Sequence, residues 1–127
     1  MRKLLAVVIV LAAMFTGCKK ITPNYTMEGK WTYPGNSQNT MYIYENGIRY
    51  TYYCLSGNCD SLYDTFQAGD TNALPGTNNY TFVNDTLTVD LNFGNELVTP
   101  ITFECDGGKA IFITPDYSLV KLSSGCN

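Results

Sequence analysis

The sequence predicts an all-β domain, a small antiparallel up-and-down β-barrel of about eight strands, with a β-sandwich as the alternative. Three observations carry this. No helical period survives beyond Phe15, whereas Tyr, Thr, Val and Ile recur throughout. Apolar and polar residues alternate in short runs, as in a strand with one face on a core. Gly, Asn, Asp and Pro interrupt the runs at short intervals, where the chain must turn back.

The first strand is expected over 29–34. Met41 and Ile43 alternate with Tyr42 and Tyr44 in a second strand over 39–45. Glu45-Asn46-Gly47 supplies a hairpin, because Asn and Gly accept the positive φ of tight turns. Ile48, Tyr50, Tyr52 and Cys54 then alternate with Arg49, Thr51 and Tyr53 over 48–54. A further strand is expected over 61–67, followed by one long loop over 68–79. After a strand at 79–83, Asn84-Asp85 turns the chain into 86–93, where Leu87 to Phe93 alternates strictly. Strands at 97–105 and 110–114 flank Asp106-Gly107-Gly108, and Pro115-Asp116 leads into 118–122. Short turns make neighbours antiparallel, and closure into a barrel removes exposed edges.

Ahead of this domain, Met1-Arg2-Lys3 precedes an uncharged run from Leu4 to Phe15. A spanning helix needs about 20 apolar residues, so the run is too short to cross a membrane and reads as a secretory signal. Thr16-Gly17 stands before Cys18, and charge begins at Lys19-Lys20. This resembles the lipobox of bacterial lipoproteins, although Phe15 stands where that motif favours Leu. The resemblance implies removal of residues 1–17, triacylation of Cys18, a polar tether over 18–26 and a domain over 27–127. It also implies a cell-envelope location, at the outer membrane facing the periplasm, because Lys rather than Asp follows Cys18. Two or more acyl chains hold a protein firmly to a bilayer.

Loss of the signal leaves about 110 residues, the size of one domain. It leaves 6 basic against 11 acidic residues, a net charge of −5. The acids are scattered, and no basic footprint for nucleic acid is present. The chain has no histidine, which removes Ser-His-Asp and Cys-His catalysis and most zinc sites. No spacing pairs two carboxylates for hydrolysis. The expectation is a protein that is not an enzyme and carries neither metal nor cofactor.

Cys54, Cys59, Cys105 and Cys126 form an even set beside Cys18. In an exported chain they read as two disulfides, with three connectivities open. Cys54–Cys59 is favoured, because Leu-Ser-Gly-Asn between them is loop-like, and this leaves Cys105–Cys126. Chain entropy assigns about 2 kcal/mol to the short loop and about 3 kcal/mol to the longer one.

Met27-Glu28-Gly29-Lys30-Trp31 opens the domain. Gly-x-Trp at the first strand, followed by a meander, resembles the lipocalin (calycin) signature and the bacterial lipocalin-like lipoproteins. Thr114-Pro115-Asp116-Tyr117 is weakly similar to a second motif of that family, interrupted by Pro115. The resemblance places Trp31 as the plug of the closed end, with Gly29 allowing a close approach beneath it. Where that family sets an Arg over the Trp, Lys121 is available here, through its stem and a cation–π contact.

A barrel of eight strands either fills with side chains or holds one small ligand. Two functions are therefore expected. In one, the barrel binds a small apolar or amphipathic ligand, lined by Met41, Ile43, Ile48, Tyr50, Tyr52, Val89, Leu91, Phe93, Ile101 and Phe103. In the other, it is an interaction module, inhibitor-like or structural in the envelope. A periplasmic protein would then dock on the Cys54–Cys59 loop, the 68–79 loop, or outward-facing Tyr42, Tyr44 and Tyr53. Asp60-Ser61-Leu62 and Asp85-Thr86-Leu87 resemble a short bacterial O-glycosylation sequon.

Overall fold

The computed structural model describes residues 23–35, 39–55 and 59–126. The expected signal segment, Cys18 and most of the expected tether lie outside the described residues. Eight antiparallel strands close into a barrel in which every strand pairs with its chain neighbours and the last with the first. They are β1 (Gly29–Thr32), β2 (Thr40–Glu45), β3 (Ile48–Tyr53), β4 (Asn78–Val83), β5 (Thr86–Asp90), β6 (Glu96–Glu104), β7 (Lys109–Phe112) and β8 (Tyr117–Lys121). Closure excludes the sandwich.

Turn chemistry sets the strand ends. Asn46 and Gly47 take φ of 51° and 79° between β2 and β3, and Asn84 and Asp85 take 50° and 56° between β4 and β5. These are the paired positive values of two-residue hairpins. Cys105 and Asp106 do the same before β7, at 55° and 51°. The two ends of the barrel therefore differ. The end holding the N-terminal entry and the 46–47, 84–85 and 105–108 turns is tight. The other carries the 33–39, 54–77, 91–95 and 113–116 connections.

Two seams are short. β1 meets β8 over Trp31↔Lys121 and Thr32↔Val120, and β3 meets β4 over Ile48↔Asn79 and Arg49↔Asn78. Above the second seam the excursion over 54–77 takes over, with Leu74 N–H donating to Thr51 O at 2.8 Å. The strand expected over 61–67 is instead a 3₁₀ helix at Cys59–Leu62 followed by turns. The Cys54–Cys59 disulfide doubles the chain back there. Local bonds such as Thr65 N–H to Leu62 O, 3.0 Å, replace a ladder there.

The molecule has two cores. The inner one collects side chains from around the barrel, among them Trp31, Tyr44, Tyr80, Leu87, Val89, Ile101, Phe112 and Leu119. The outer one lies between the β2–β3 wall and the excursion: Met41, Ile43 and Tyr52 against Cys54, Cys59, Phe66 and Leu122. Tyr52 stacks on Phe66 with ring centroids 4.9 Å apart, and its hydroxyl donates to Gln67 O at 2.6 Å. Asp70 fastens the loop by accepting from the Gln67 and Asn72 N–H groups, each at 2.8 Å.

This arrangement corrects the expected lining. Met41, Ile43 and Tyr52 are buried on the outer face, and by strand alternation Ile48 and Tyr50 share that face. Tyr42 and Tyr44, expected outside, point into the barrel with Trp31. Both faces of β2 are covered, so its two alternating sets, Met41 and Ile43 against Tyr42 and Tyr44, are apolar or aromatic, and a one-residue shift exchanges them without changing the pattern. β3 follows by register and turns its more polar set, Arg49 and Thr51, inward. Leu91 and Phe93 are not lining residues either. β5 ends at Asp90, Asn92 and Phe93 turn at φ of 68° and 54°, and Phe93 is 100% exposed. Asp90 Oδ1 accepts from Asn92 N–H at 2.8 Å, a turn that ends the alternation.

Candidate functional site

The closed end is built around Trp31, which is fully buried. Its indole N–H donates to Met27 O at 2.7 Å, so the chain entering β1 is tied to the plug. Lys121 Nζ lies 5.4 Å from the centre of the Trp31 ring, the cation–π contact that the sequence offered. Gly29 has φ of +129°, and a Cβ there would overlap the Lys121 stem. The close approach that Gly29 permits is thus from a side chain. Phe103 packs at 6.4 Å from Trp31 and 5.8 Å from Phe82. Tyr25 covers Phe103 from outside, at 5.6 Å. Val89 and Ile101 are buried above this floor, so of the expected lining only Val89, Ile101 and Phe103 face the interior. They fill it rather than border a deep cup.

The other end is different in character. Tyr33, the residue after β1, Tyr42 of β2 and Tyr117, the first residue of β8, gather toward that end, and each is half-buried. Tyr33 lies edge-on to Tyr42 at 6.0 Å and tilted to Tyr117 at 5.9 Å. The Tyr33 and Tyr42 hydroxyls are 3.3 Å apart. Arg49 rises among them. It pairs with Tyr44 and Asn78 in the sheet, and its guanidinium carbon stands 5.1 Å from the centre of the Tyr42 ring. Nη2 donates to Asn78 Oδ1 at 2.7 Å, and Asn78 in turn donates to Asp90 O at 2.7 Å. Arg49 Nε is buried and has no partner among the described residues.

Electrostatics follows from this setting. Burial pushes the Tyr42 hydroxyl up to about 12, helped by Tyr33 and opposed by Arg49. Burial likewise pushes Tyr44 up to about 12 against the field of Arg49. Tyr117 is raised as well, first by burial and then by the neighbouring phenols. The phenols are therefore neutral donors at ordinary pH. No inward-facing strand position carries Asp or Glu, so Arg49 and Lys121 are the charges of the interior among the described residues. The carboxylate of Glu28, outside the closed end, accepts from Tyr80 hydroxyl at 2.7 Å.

Two disulfides bracket the barrel, Cys54–Cys59 and Cys105–Cys126, in the favoured connectivity. The second ties the C-terminal segment to the β6–β7 turn at the closed end. Among the expected protein contacts, Tyr53 is half-exposed while Tyr42 and Tyr44 are withdrawn. Sequence reasoning missed Arg49. Its signal was register: Trp31 pairs with Tyr42, so the inward set of β2 runs through Tyr42 and Tyr44, and Arg49 opposite Tyr44 joins it. Neither protein-family models, curated proteins nor solved structures match this chain.

Proposed function

We propose that the chain is an exported lipoprotein, held to an envelope membrane through acylated Cys18, whose barrel binds a small apolar or amphipathic ligand. The observation that carries the binding reading is the half-buried tyrosine ring around Arg49. Phenols offer an apolar body and a hydroxyl, and the guanidinium has an unused buried donor. Such a set binds and orients, and nothing in it supplies a nucleophile or a base near neutral pH. Because the floor is packed, the ligand sits shallow, between the loops rather than deep in the barrel.

The anchoring part is supported by the basic leader, the Thr16-Gly17-Cys18 sequence and the two disulfides of an oxidising compartment. By resemblance the membrane is the outer one and the domain faces the periplasm. The chain enters at the closed end beside Trp31, so the tyrosine end faces away from the tether.

The test is a comparison of native and denatured masses for the protein extracted from its own envelope. A stoichiometric small passenger and an acylated N-terminal peptide beginning at Cys18 are expected. An empty barrel would remove the binding reading, and an unmodified N-terminus elsewhere would remove the anchor. A second reading, a module docking on a periplasmic protein, is favoured by one observation. Leu55, Phe93, Ile113, Leu91 and Tyr53 are exposed on the connections around the open end, Leu55 at 89% and Phe93 at 100%.

A further inference from the structure

We infer that the ligand of the open end is an anionic amphiphile, seated with its headgroup on Arg49 and its apolar tail against the rim. The inference rests on the ligand-binding reading above and names the chemical class. Its first support is the charge of the interior. An acidic protein places an Arg inside its barrel and no carboxylate at any inward-facing strand position. The partners of that Arg are neutral: Asn78 Oδ1, the Tyr42 ring and the Tyr44 hydroxyl. A guanidinium carries five N–H donors in a fixed fork suited to a carboxylate or phosphate. Here Nε is withdrawn from solvent with nothing to donate to.

The second support is orientation. The interior around Arg49 is filled, with Trp31, Leu87, Val89 and Phe112 at 0% exposure. A tail cannot enter there. Apolar surface is available instead at the rim, on Leu91, Phe93, Leu55 and Ile113. The head therefore goes in and the tail lies across the loops. The hydroxyls of Tyr33, Tyr42 and Tyr117 stand beside the anion as hydrogen-bond donors, and the low polarity that burial imposes strengthens each charge-assisted bond.

The experiment is a calorimetric titration of the folded, disulfide-bonded protein with an eight-carbon series: octanoate, octyl phosphate, octanol and octyltrimethylammonium, with acetate alongside. Octanoate or octyl phosphate is expected to bind about tenfold or more tighter than octanol, the cation or acetate. The stronger of the two anions identifies the headgroup. Arg49→Met and Arg49→Lys are then compared, with Trp31 fluorescence confirming the fold. The loss for Arg49→Met is expected to fall on the anions and leave octanol unchanged, with partial recovery in Arg49→Lys. Equal binding of octanol and octanoate to the native protein overturns the anionic class and leaves the binding reading standing. Acetate binding as tightly as octanoate overturns the amphiphile. Failure of the whole series overturns this inference together with the reading it rests on.

Discussion

At the residue scale, a few side chains decide what each end of the barrel is. Gly29 is required twice, by its φ of +129° and by the Lys121 stem that crosses where a Cβ would be. The stem can shift, so backbone strain dominates. Gly29→Ala should lower stability by about 1–2 kcal/mol in urea unfolding, with m unchanged. The tyrosines give a pH signature. Tyr42 and Tyr44 titrate near 12 when folded and near 10 when unfolded. Between those values the unfolded chain has released protons that the folded chain still holds. Stability is therefore fully present below about pH 10 and falls as pH rises toward about 12, by up to about 1.4 kcal/mol per unit for a fully buried phenol. Tyr42 is partly exposed and contributes less. Phenolate absorbance followed together with far-UV circular dichroism checks this: the ionisation of these residues should coincide with unfolding.

At the scale of elements, the barrel wall and its excursion are separate packing problems. Phe66 is 8% exposed and stacks on Tyr52 across the wall, so Phe66→Ala should cost about 3 kcal/mol. That loss should appear as early hydrogen exchange in 59–77 while β5 to β8 stay protected, since the inner core does not include Phe66. The disulfides divide similarly. Replacing Cys54 and Cys59 by Ala should cost about 2 kcal/mol, and replacing Cys105 and Cys126 about 3 kcal/mol, because the second closes the longer loop. Strand existence and hairpins were legible wherever Asn, Asp and Gly marked turns, as at 46–47, 84–85 and 106–108. Facing was legible for β5, where Leu87 and Val89 alternate with threonines, and illegible for β2, where both faces are covered, and so for β3, which follows β2 by register. The 3₁₀ turn at Cys59–Leu62 was hidden because Ser61 to Phe66 has strand-like composition, while the chain there follows the Cys54–Cys59 bond and closes local turn bonds instead.

At the scale of the whole molecule, the topology puts the N-terminal entry and the Arg49–tyrosine cluster at different ends. The N-terminal entry, the Trp31 plug and the Cys105–Cys126 staple share one end, and the Arg49 tyrosine ring occupies the other. The barrel was legible because it is a pattern of short alternating runs and turn residues along the chain. The candidate site was not, because it depends on which of two equivalent alternations turns inward and on a charge brought among aromatic rings by closure. The central claim is that ligand is met at this end and on the inner face. The most direct measurement is nuclear magnetic resonance shift mapping of the folded protein during octanoate titration. Shifts are expected at Arg49 Nε–H and at the Tyr33, Tyr42, Thr51 and Tyr117 positions, with Met41, Ile43 and Phe66 unmoved. Shifts centred on the outer cluster under the excursion, or on the closed end around Lys121, would contradict it.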